Sequence, residues 1–498
     1  MLPTRVGRDH APGRVRTVAL EQLVLDLAHA GSSHARQSPE VEPLELLEEV
    51  LAFVRQKLCV IGAWRQMHVG ANLPLRTRMS ILENLMRRYQ LFKIRQRFDR
   101  TRLDDPRGVL RSRLAALDAV IRPRARIAIA AGSRGIDNIA VLVRDVSEYL
   151  KARGAHPFVV PAMGSHGGAT AEGQADILKL YGISEDTIGA PVHSSMDVVE
   201  LARGDVSFRI FMDRHVHESD GAILVNRIKP HTDFHGRYES GLMKMALIGL
   251  GKLEGARAVH DFGLYGLREL IAPGAAQVLS TGKILAGIGL VENAFHQTRH
   301  VEVLKADAIA REEPRLLDLA RRHMPRLPVD VVDVLVVDRM GKDISGVGID
   351  PNITGRIGVG GERDATAPRV GAMMVCDLTA QTHGNAIGVG LADVITRRLF
   401  ARIDYESTYA NVITSSFLER GKIPVVAETD REAFDIAFRS CGHVPEGRER
   451  IVRILDTLHL EEVYVSSAVL GEIQDQERIE VVGPGPDLFD DAGRLTPF

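Results

Sequence analysis

Several residues in glycine-rich loops have side chains that could bind or transform a small molecule carrying a carboxylate or phosphate. Imidazoles titrate near neutral pH and act as acids, bases or metal ligands, and a guanidinium grips an anion through paired hydrogen bonds. The loop residues with such side chains, or with polar groups beside them, are Ser133, Arg134, His166, Lys229, His231, Lys342, Asp343, Asp350, Arg356, Thr382, His383 and Asn385.

Three of these positions have local sequence that favours a functional role. Arg134 stands in the run GSRGI, whose glycines let the backbone approach a ligand closely, although an arginine paired at a helix start fits equally well. His166 precedes two glycines, and His231 follows a proline that stiffens its loop. The chain has 18 histidines, so each alone is more often structural or solvated. Their shared position after strands raises the odds of function.

Lys244 is the most informative single residue, because it stands in the apolar run SGLMKMALIGLG. Such a lysine either extends its amine to solvent, which is the commoner case, or is desolvated for nucleophilic chemistry. His260 lies 16 residues further on, about 24 Å away along one helix at roughly 1.5 Å per residue. The intervening glycines permit the chain to turn back, so the sequence allows a Lys–His site without proving one.

The elements that position these residues repeat in one order: apolar strand, glycine-rich loop, helix. This order predicts an α/β protein, in which ligands bind beyond the carboxyl ends of the strands. The predicted strands are RIAIAA, PFVVPA, GAILVN, VDVLVVD and VGAMMVCDL. The predicted helices include NIAVLVRDVSEYLKARGA, with Asp137 or Asn138 as its cap, AEGQADILKLYG and LADVITRRLF.

The composition and the repeated order of predicted elements divide the chain into three parts. Residues 1–78 are predicted to form a small helical extension of uncertain role, and Met79 opens a segment that itself resembles a natural beginning. Residues 79–327 are predicted to form the N-terminal α/β domain, which holds the catalytic and cofactor residues, and residues 328–498 the C-terminal α/β domain. The run 312–330, rich in Arg and Pro, is the expected connector.

The composition argues against several classes of protein. The 498 residues, 45% of them hydrophobic, suffice for two large cores. A net charge of −2 lacks the positive field that nucleic-acid or anionic-membrane binding usually needs. The chain has no apolar run of membrane-spanning length, no secretory leader, and only three scattered cysteines. We therefore expect a cytoplasmic protein with a small-molecule ligand and no nucleic-acid or membrane partner.

Familiar short motifs for other chemistries are absent from the sequence. The segment GKDISGVGIDPN is neither a phosphate-binding GxxxxGK[ST] loop nor a GxGxxG dinucleotide fingerprint. The histidines form no HExxH or other closely spaced zinc set, so a zinc hydrolase finds weak support.

From about residue 90 to 480 the chain resembles the lactate racemase family, whose members use a nickel-pincer nucleotide. The segments that carry the resemblance are GSRGI, PAMGSHGGAT, NRIKPHTDFHGRYESGLMKM, GLGKLEGARAVH and GKDISGVGIDPNITGR. The resemblance implies two α/β domains with Rossmann-like parallel sheets and an active-site cleft between them. It also implies a cofactor, pyridinium-3-thioamide-5-thiocarboxylic acid mononucleotide, which holds nickel.

The resemblance also implies roles for individual residues. Lys244 corresponds to the lysine joined to the cofactor through a thioamide, with Gly132 and Ser133 in a cofactor-binding loop. His260 corresponds to the imidazole that completes the nickel coordination, which suits nickel(II). His166 and His231 correspond to the paired acid and base on opposite faces of the substrate. Residues implied or suggested for binding the substrate are Arg134, Lys342 and Arg356.

The function implied is that of an isomerase, a racemase or epimerase of a 2-hydroxy acid that is lactate-like or larger, sugar acids included. Hydride leaves Cα and returns to the other face, which calls for two opposed bases. Two alternatives stay open: an oxidoreductase or lyase using the same cofactor, and a non-catalytic protein that binds the nickel cofactor or a carboxylate. The expected partners are the hydroxy acid and the cofactor-synthesis enzymes, and the sequence leaves the oligomeric state open.

The chain departs from the family pattern in the substrate-binding loops. Ala131 stands where the family usually has an acidic residue, and Gly167 follows the second-loop histidine where Arg is frequent. The C-terminal loop offers Thr354 and Arg356 in place of the family's Gln and Lys. We therefore expect cofactor anchoring to be retained better than substrate binding.

Overall fold

The computed structural model describes residues 89–132, 135–360, 364–365, 367–473, 475–490 and 492–498. The predicted helical extension 1–78 and the candidate residues Ser133 and Arg134 lie outside this range. The described strands, in chain order, are β1 Gln90–Gln96, β2 Arg126–Ala131, β3 His156–Pro161, β4 Val198–Leu201, β5 Ile210–Asp213, β6 Gly221–Arg227, β7 Ile284–Glu292, β8 Thr298–Lys305, β9 Val331–Val337, β10 Arg369–Val375, β11 Val394–Thr396, β12 Val425–Ala427, β13 Ile451–Ile454, β14 Glu462–Val465 and β15 Ile479–Asp487.

Helices connect most of these strands. In chain order the described α-helices are α1 Pro106–Leu114, α2 Ile139–Ala152, α3 Ala171–Leu180, α4 Glu185–Ile188, α5 Arg214–His217, α6 Leu242–Lys244, α7 Lys252–His260, α8 Gly263–Tyr265, α9 Ile271–Ser280, α10 Ala306–His323, α11 Pro351–Thr354, α12 Arg397–Phe400, α13 Tyr405–Ser415, α14 Asp430–Ser440 and α15 Ser467–Glu472. Two π-helical turns, Met245–Gly249 and Gly266–Leu270, follow α6 and α8. None of the described helices is long and apolar enough to cross a membrane.

The first large sheet has five strands in the order β3-β2-β6-β7-β8. The first four run parallel and β8 is antiparallel to β7. Their apolar residues divide between two clusters, one on each face of the sheet, because both faces are covered by helices. The predicted strands RIAIAA, PFVVPA and GAILVN therefore form as expected.

The second large sheet has eight strands in the order β12-β11-β10-β9-β13-β14-β1-β15. The strands from β12 to β13 are parallel, and the last three pair antiparallel. The α/β class with parallel-rich sheets is thus confirmed.

The domain boundary differs from the expectation in one respect. The predicted N-terminal domain, 79–327, includes strand β1, but this strand pairs with β14 and β15 of the second sheet. The buried side chains of Leu91 and Ile94 give the physical reason, because they belong to the two apolar clusters that cover that sheet.

Three local predictions need correction. The side chain of Asn138 caps no helix, and the carboxylate of Asp137 instead accepts from the backbone N–H of Thr298 at 2.8 Å. The segment LADVITRRLF is split, since Val394 and Ile395 form β11 between β10 and β12 before the short helix α12 begins. The expected connector 312–330 is helical as far as His323, because the buried face of α10 packs on β7.

Candidate functional site

The centre of the candidate site is a direct contact between two predicted residues. The amine Nζ of Lys244 lies at hydrogen-bonding distance from Nε2 of His231. Lys244 ends helix α6, and His231 lies beyond the carboxyl end of β6. The ring of Phe234, which is 1% exposed, packs against the imidazole at 4.6 Å and lies 6.0 Å from the amine. The apolar wall limits water around the amine and the imidazole.

The loop that carries His231 is closed on itself. Lys229 and Ser240 exchange two backbone hydrogen bonds of 2.9 and 3.2 Å across its base. Inside it, the buried carboxylate of Glu239 accepts from the backbone N–H groups of His231 at 2.6 Å and Gly236 at 3.0 Å. Burial raises the pKa of Glu239, but the hydrogen bonds from His235 and the backbone lower it by more. The net shift is downward, so the carboxylate is charged. These bonds fix the position of the imidazole before any ligand binds.

Asp233 orients the ring of His231. Its backbone N–H donates to Nδ1 at 3.1 Å, so Nδ1 is an acceptor and Nε2 is the ring nitrogen that faces Lys244. Burial raises the pKa of the Asp233 carboxyl, but the nearby charges of His231, Arg420 and Lys244 hold it well below its usual range. The carboxylate of Asp233, whose side chain is 15% exposed, is therefore surrounded by basic groups.

Arg420 joins this loop to the rest of the chain. Its guanidinium, 1% exposed, pairs with the carboxylate of Asp233 at 2.5 Å and donates to the carbonyl of Thr232 at 2.6 Å. The same guanidinium donates to the carbonyl of Ile357, between β9 and β10, at 2.8 and 3.1 Å. Asn352 of α11 also reaches across and donates to the carbonyl of His231 at 3.1 Å. Residues that belong to the second sheet's part of the chain thus hold the His231 loop.

His260 is the last residue of α7, and its imidazole lies within electrostatic range of Lys244 and Asp233. Burial lowers its pKa, and the charge of Lys244 lowers it further, against the opposing effect of Asp233. A neutral imidazole is the form that binds a metal ion. The turn back that the sequence allows is therefore made, and it brings the lysine and both histidines to one end of the five-stranded sheet.

The helical segment around Lys244 is irregular. The π-helical turn Met245–Gly249 follows α6 directly, and such turns occur frequently at functional sites. At the amino end, the buried carboxyl of Glu313 accepts from the backbone N–H of Met243 at 2.8 Å. Its other oxygen, Oε1, has no hydrogen-bond partner among the described residues. Burial raises the pKa of Glu313 to about 7.

This raised pKa predicts a specific pH dependence of stability. Between the ordinary pKa of 4.5 and the folded value of about 7, the folded chain keeps a proton that the unfolded chain has lost. The stabilisation is complete below pH 4.5 and is lost as the pH rises through 7, about 3 kcal/mol in all. Glu313→Gln should remove that part of the slope, measured as the free energy of unfolding by urea at about pH 5, 6, 7 and 8.

The neighbouring Glu312 supplies the matched control for this experiment. It is a more exposed residue paired with Arg311 and Arg315, so Glu312→Gln should keep the wild-type slope. A Glu313→Gln variant with that same slope would mean that Glu313 titrates near its ordinary pKa.

Gly132 follows strand β2, which stands between β3 and β6, the two strands that precede the histidine loops. At Gly132 a Cβ would meet Oδ1 of Asn226 at 2.8 Å, so a larger residue there would require the Asn226 side chain to shift. Further along, Glu292 accepts from the backbone N–H of Asp137 at 2.9 Å and pairs with Arg227 at 2.5 Å. Burial raises the pKa of Glu292, but hydrogen bonding to His296 and the charge of Arg227 lower it to about 2. The chain on both sides of the β2 loop is thus firmly held.

His166 lies beyond the carboxyl end of β3, on the opposite side of the β2 loop from His231. It is exposed, and its backbone carbonyl accepts from the side chain of Gln174 at 3.2 Å. Gln174 in turn accepts from Lys252 at 3.2 Å, a fully buried lysine beside Asp213. Burial lowers the pKa of Lys252, and the charge of Asp213 opposes the shift. A buried network of hydrogen bonds therefore holds the backbone of the His166 loop in position.

The two remaining substrate-binding candidates lie in the second sheet's part of the chain. Lys342 follows β9 and hydrogen bonds with the side chain of Asn411. Arg356 points away from the site, because its guanidinium binds Asp393 and the backbone carbonyls of Val370 and Gly371 near the start of β10. We therefore leave Arg356 out of the candidate substrate-binding set.

Sequence reasoning missed Asp233, Glu239, Glu313 and Arg420. The first two lie inside the segment PHTDFHGRYESG, and their acidic side chains beside a candidate imidazole were a usable signal. Arg420 had no such signal, since 187 positions separate it from Asp233.

The arrangement can hold an amine next to an imidazole, with a second, neutral imidazole nearby. Among the described residues, no group of three or more His, Cys, Asp or Glu side chains is placed to hold a metal ion. The imidazole of His260, whose pKa burial lowers, can ligate a metal ion whose other ligands come from a bound cofactor.

Comparisons with known proteins complete the description. No family model matches the sequence, and no curated protein matches it. Among solved structures the chain is similar to that of the lactate racemase apoprotein from Thermoanaerobacterium thermosaccharolyticum, with 11% sequence identity, a TM-score of 0.45, and an alignment that covers 74% of this chain and 98% of that chain.

Proposed function

We propose that this chain is a racemase or epimerase of a 2-hydroxy acid that works with a lysine-attached nickel-pincer nucleotide. The observation that carries the proposal is the contact between Lys244 and His231, with the neutral imidazole of His260 beside them. The sequence segments that resemble the lactate racemase family place these same three residues in the cofactor and catalytic roles. The further proposal, that the substrate is larger than lactate, rests on the departures of the substrate-binding loops from the pattern of the lactate racemase family.

The residues present fit the cofactor. Lys244 would hold it through a covalent bond from its amine, and the apolar wall of Phe234 keeps water from that amine. His260 would ligate nickel through its neutral imidazole. When bound, the nickel-pincer nucleotide supplies a centre that can take up and return the hydrogen of Cα.

The histidines would handle the hydroxyl proton of the substrate. His231 is fixed in place by Asp233 and Glu239, and its Nε2 faces the site, where it can take or return a proton. His166, which follows β3 on the other side of β2, would serve the opposite face. Two bases on opposite faces suit a reaction whose product is the mirror image of its substrate at Cα.

The second sheet's part of the chain would help to exclude water. Arg420 and Asn352 already tie it to the His231 loop. Arg134 would bind the substrate carboxylate through two parallel hydrogen bonds. With water excluded, charged contacts strengthen and a keto intermediate is less able to escape.

Substituting the histidines tests this function. His231→Gln and His166→Gln should each lower racemisation by roughly 10²- to 10⁴-fold, the usual contribution of an acid or base. Both variants should keep the cofactor, since neither residue is proposed to hold it. The measurement is exchange of Cα configuration in a panel of 2-hydroxy acids and sugar acids, with nickel content determined on the same samples.

The exposed His443 provides the matched control, and His443→Gln should be as active as the wild type. Net oxidation or cleavage of the acid in place of racemisation would favour the oxidoreductase or lyase alternative. Cofactor retention with no activity toward any acid, in wild type and variants alike, would favour the binding-protein alternative.

A further inference from the structure

A cavity of about 380 Å³ lies in the second sheet's part of the chain, apart from the Lys244 site. Asp338, which follows β9, lines it together with Cys376, which follows β10, and Arg453 of β13. The segment 495–497 near the end of the chain covers one side. The volume lies in the range of small-molecule sites, roughly 300 to 1,000 Å³.

The position of this cavity is one where α/β sheets bind ligands. From β9 the chain continues to β10 on one side, whereas β13 lies on the other side of β9. Ligands of open α/β sheets bind at the carboxyl ends of the strands where the strand order reverses in this way. Asp338, Cys376 and Arg453 are the residues that this rule singles out in the second sheet.

Arg453 places a nearly buried positive charge in this cavity. The side chain is 3% exposed, and its Nε and Nη2 donate to the two oxygens of Asp338 at 2.8 and 2.7 Å. Nη2 also donates to the carbonyl of Thr496 at 2.6 Å. Arginine side chains bind carboxylates through paired hydrogen bonds of this kind, so Arg453 is a group suited to the carboxylate of a ligand.

Carboxylates supply the opposite charge. Asp430, the first residue of α14, has a side chain that is 4% exposed and accepts from Arg398 at 3.2 Å and from the backbone N–H of Leu495 at 2.8 Å. Burial raises the pKa of Asp338, and the charge of Asp430 adds to the shift while Arg453 opposes it. A positive group placed between these two carboxylates would relieve their repulsion.

We propose that this cavity binds a small zwitterion, with its carboxylate at Arg453 and Arg398 and its ammonium at Asp338 and Asp430. In the cavity Arg453 pairs with Asp338 and Arg398 pairs with Asp430. A ligand that carries both charges can replace both partners of such a pair, whereas a ligand with one kind of charge leaves the other partner unmatched. An α-amino acid carries both groups on one carbon and has a suitable size. This proposal is independent of the proposed function, because it involves neither Lys244 nor the hydroxy acid.

Isothermal titration calorimetry on the full chain tests the ligand class. The probes are the standard α-amino acids, each compared with the 2-hydroxy acid and the amine of the same carbon skeleton. At least one amino acid should bind at about one per chain, with the matched hydroxy acid and amine at least tenfold weaker. Absence of binding by every amino acid would overturn the proposal, as would equal binding of the hydroxy acid or the amine at this cavity.

Two adjacent arginines locate the binding. Arg398 lines the cavity, whereas Arg397 beside it pairs with Glu428 at 2.6 Å and does not. Arg398→Gln should weaken amino-acid binding about tenfold, the factor that roughly 1.4 kcal/mol represents, and Arg397→Gln should leave it unchanged. Asp430→Asn, a change of the same size, should weaken it similarly. Wild-type affinity in both Arg398→Gln and Asp430→Asn would mean that the ligand binds elsewhere, and the proposal would fail.

Discussion

A Lys244→Ala variant is expected to carry no covalently attached cofactor and to show no racemisation above background. The amine of Lys244 is the group proposed to form the bond to the cofactor, and alanine offers no nucleophile in its place. The contact with His231 and the packing against Phe234 place that amine in the site without any ligand present. The measurement is intact-protein mass spectrometry with nickel analysis, after co-expression with the cofactor-synthesis enzymes.

Lys244→Arg separates the covalent role of the side chain from its charge. Arginine keeps a positive charge beside Asp233 but cannot form the bond, so this variant should be as empty as Lys244→Ala. It should also be the more stable of the two, because the buried carboxylate of Asp233 keeps one of the charges that lower its pKa. The exposed Lys179→Ala is the control and should load like the wild type.

Normal loading of Lys244→Ala would contradict the assignment of this residue. An unmodified, nickel-free wild-type chain, from cells that load a control racemase, would instead remove the proposed function as a whole. In that case the binding-protein alternative would become the leading one.

The fold was predictable because its strands are apolar on both faces and are followed by glycine-rich loops. RIAIAA and GAILVN are runs that only a sheet covered on both sides can bury, and they pair directly as β2 and β6. The shared edge of the sheet then brings His166 and His231 to the two sides of the β2 loop. For this reason the general location of the candidate site followed from local pattern alone.

The partners of the site residues were less predictable, because they come from distant parts of the chain. Strand β1 has an ordinary half-buried pattern, and nothing in its seven residues specifies that it pairs with β14 and β15. Arg356 looked like an anion-binding arginine in a glycine-rich loop, yet a nearby carboxylate, Asp393, takes its guanidinium. Contacts of this kind depend on tertiary packing, which cannot be predicted from the spacing of residues along the sequence.

Arg420→Ala is expected to lower the free energy of unfolding by about 3 to 5 kcal/mol, the usual cost of removing one partner from a buried ion pair. The change leaves the carboxylate of Asp233 buried without its nearest cation and leaves the carbonyls of Thr232 and Ile357 without their donor. Urea unfolding at about pH 7, where Asp233 is charged, gives the loss directly. The control is Arg402→Ala, since Arg402 is 55% exposed and pairs with Asp377, a surface pair of small effect.

The pH dependence distinguishes the loss of the ion pair from simple loss of packing. In the wild type the pKa of Asp233 is far below that of the unfolded chain, so its contribution to stability is present above the unfolded pKa and is lost only in strong acid. Burial raises that pKa, and the Arg420→Ala change removes one of the charges that lower it. The Arg420→Ala variant should therefore lose stability at a higher pH than the wild type as acid is added. Equal acid sensitivity of the two proteins would mean that Arg420 acts through packing alone.

The double variant Asp233→Asn with Arg420→Met tests whether the pair also positions the catalytic loop. Removing both charges leaves neither member of the Arg420–Asp233 pair without its partner, so this protein should recover much of the stability lost in Arg420→Ala. It should still be impaired in racemisation, because methionine cannot donate to the carbonyls of Thr232 and Ile357 that connect the His231 loop to the second sheet's part of the chain. Recovery of stability together with full activity would show that the ion pair serves folding alone. Recovery of stability without activity would show that Arg420 holds His231 in the position where it can exchange a proton with the substrate.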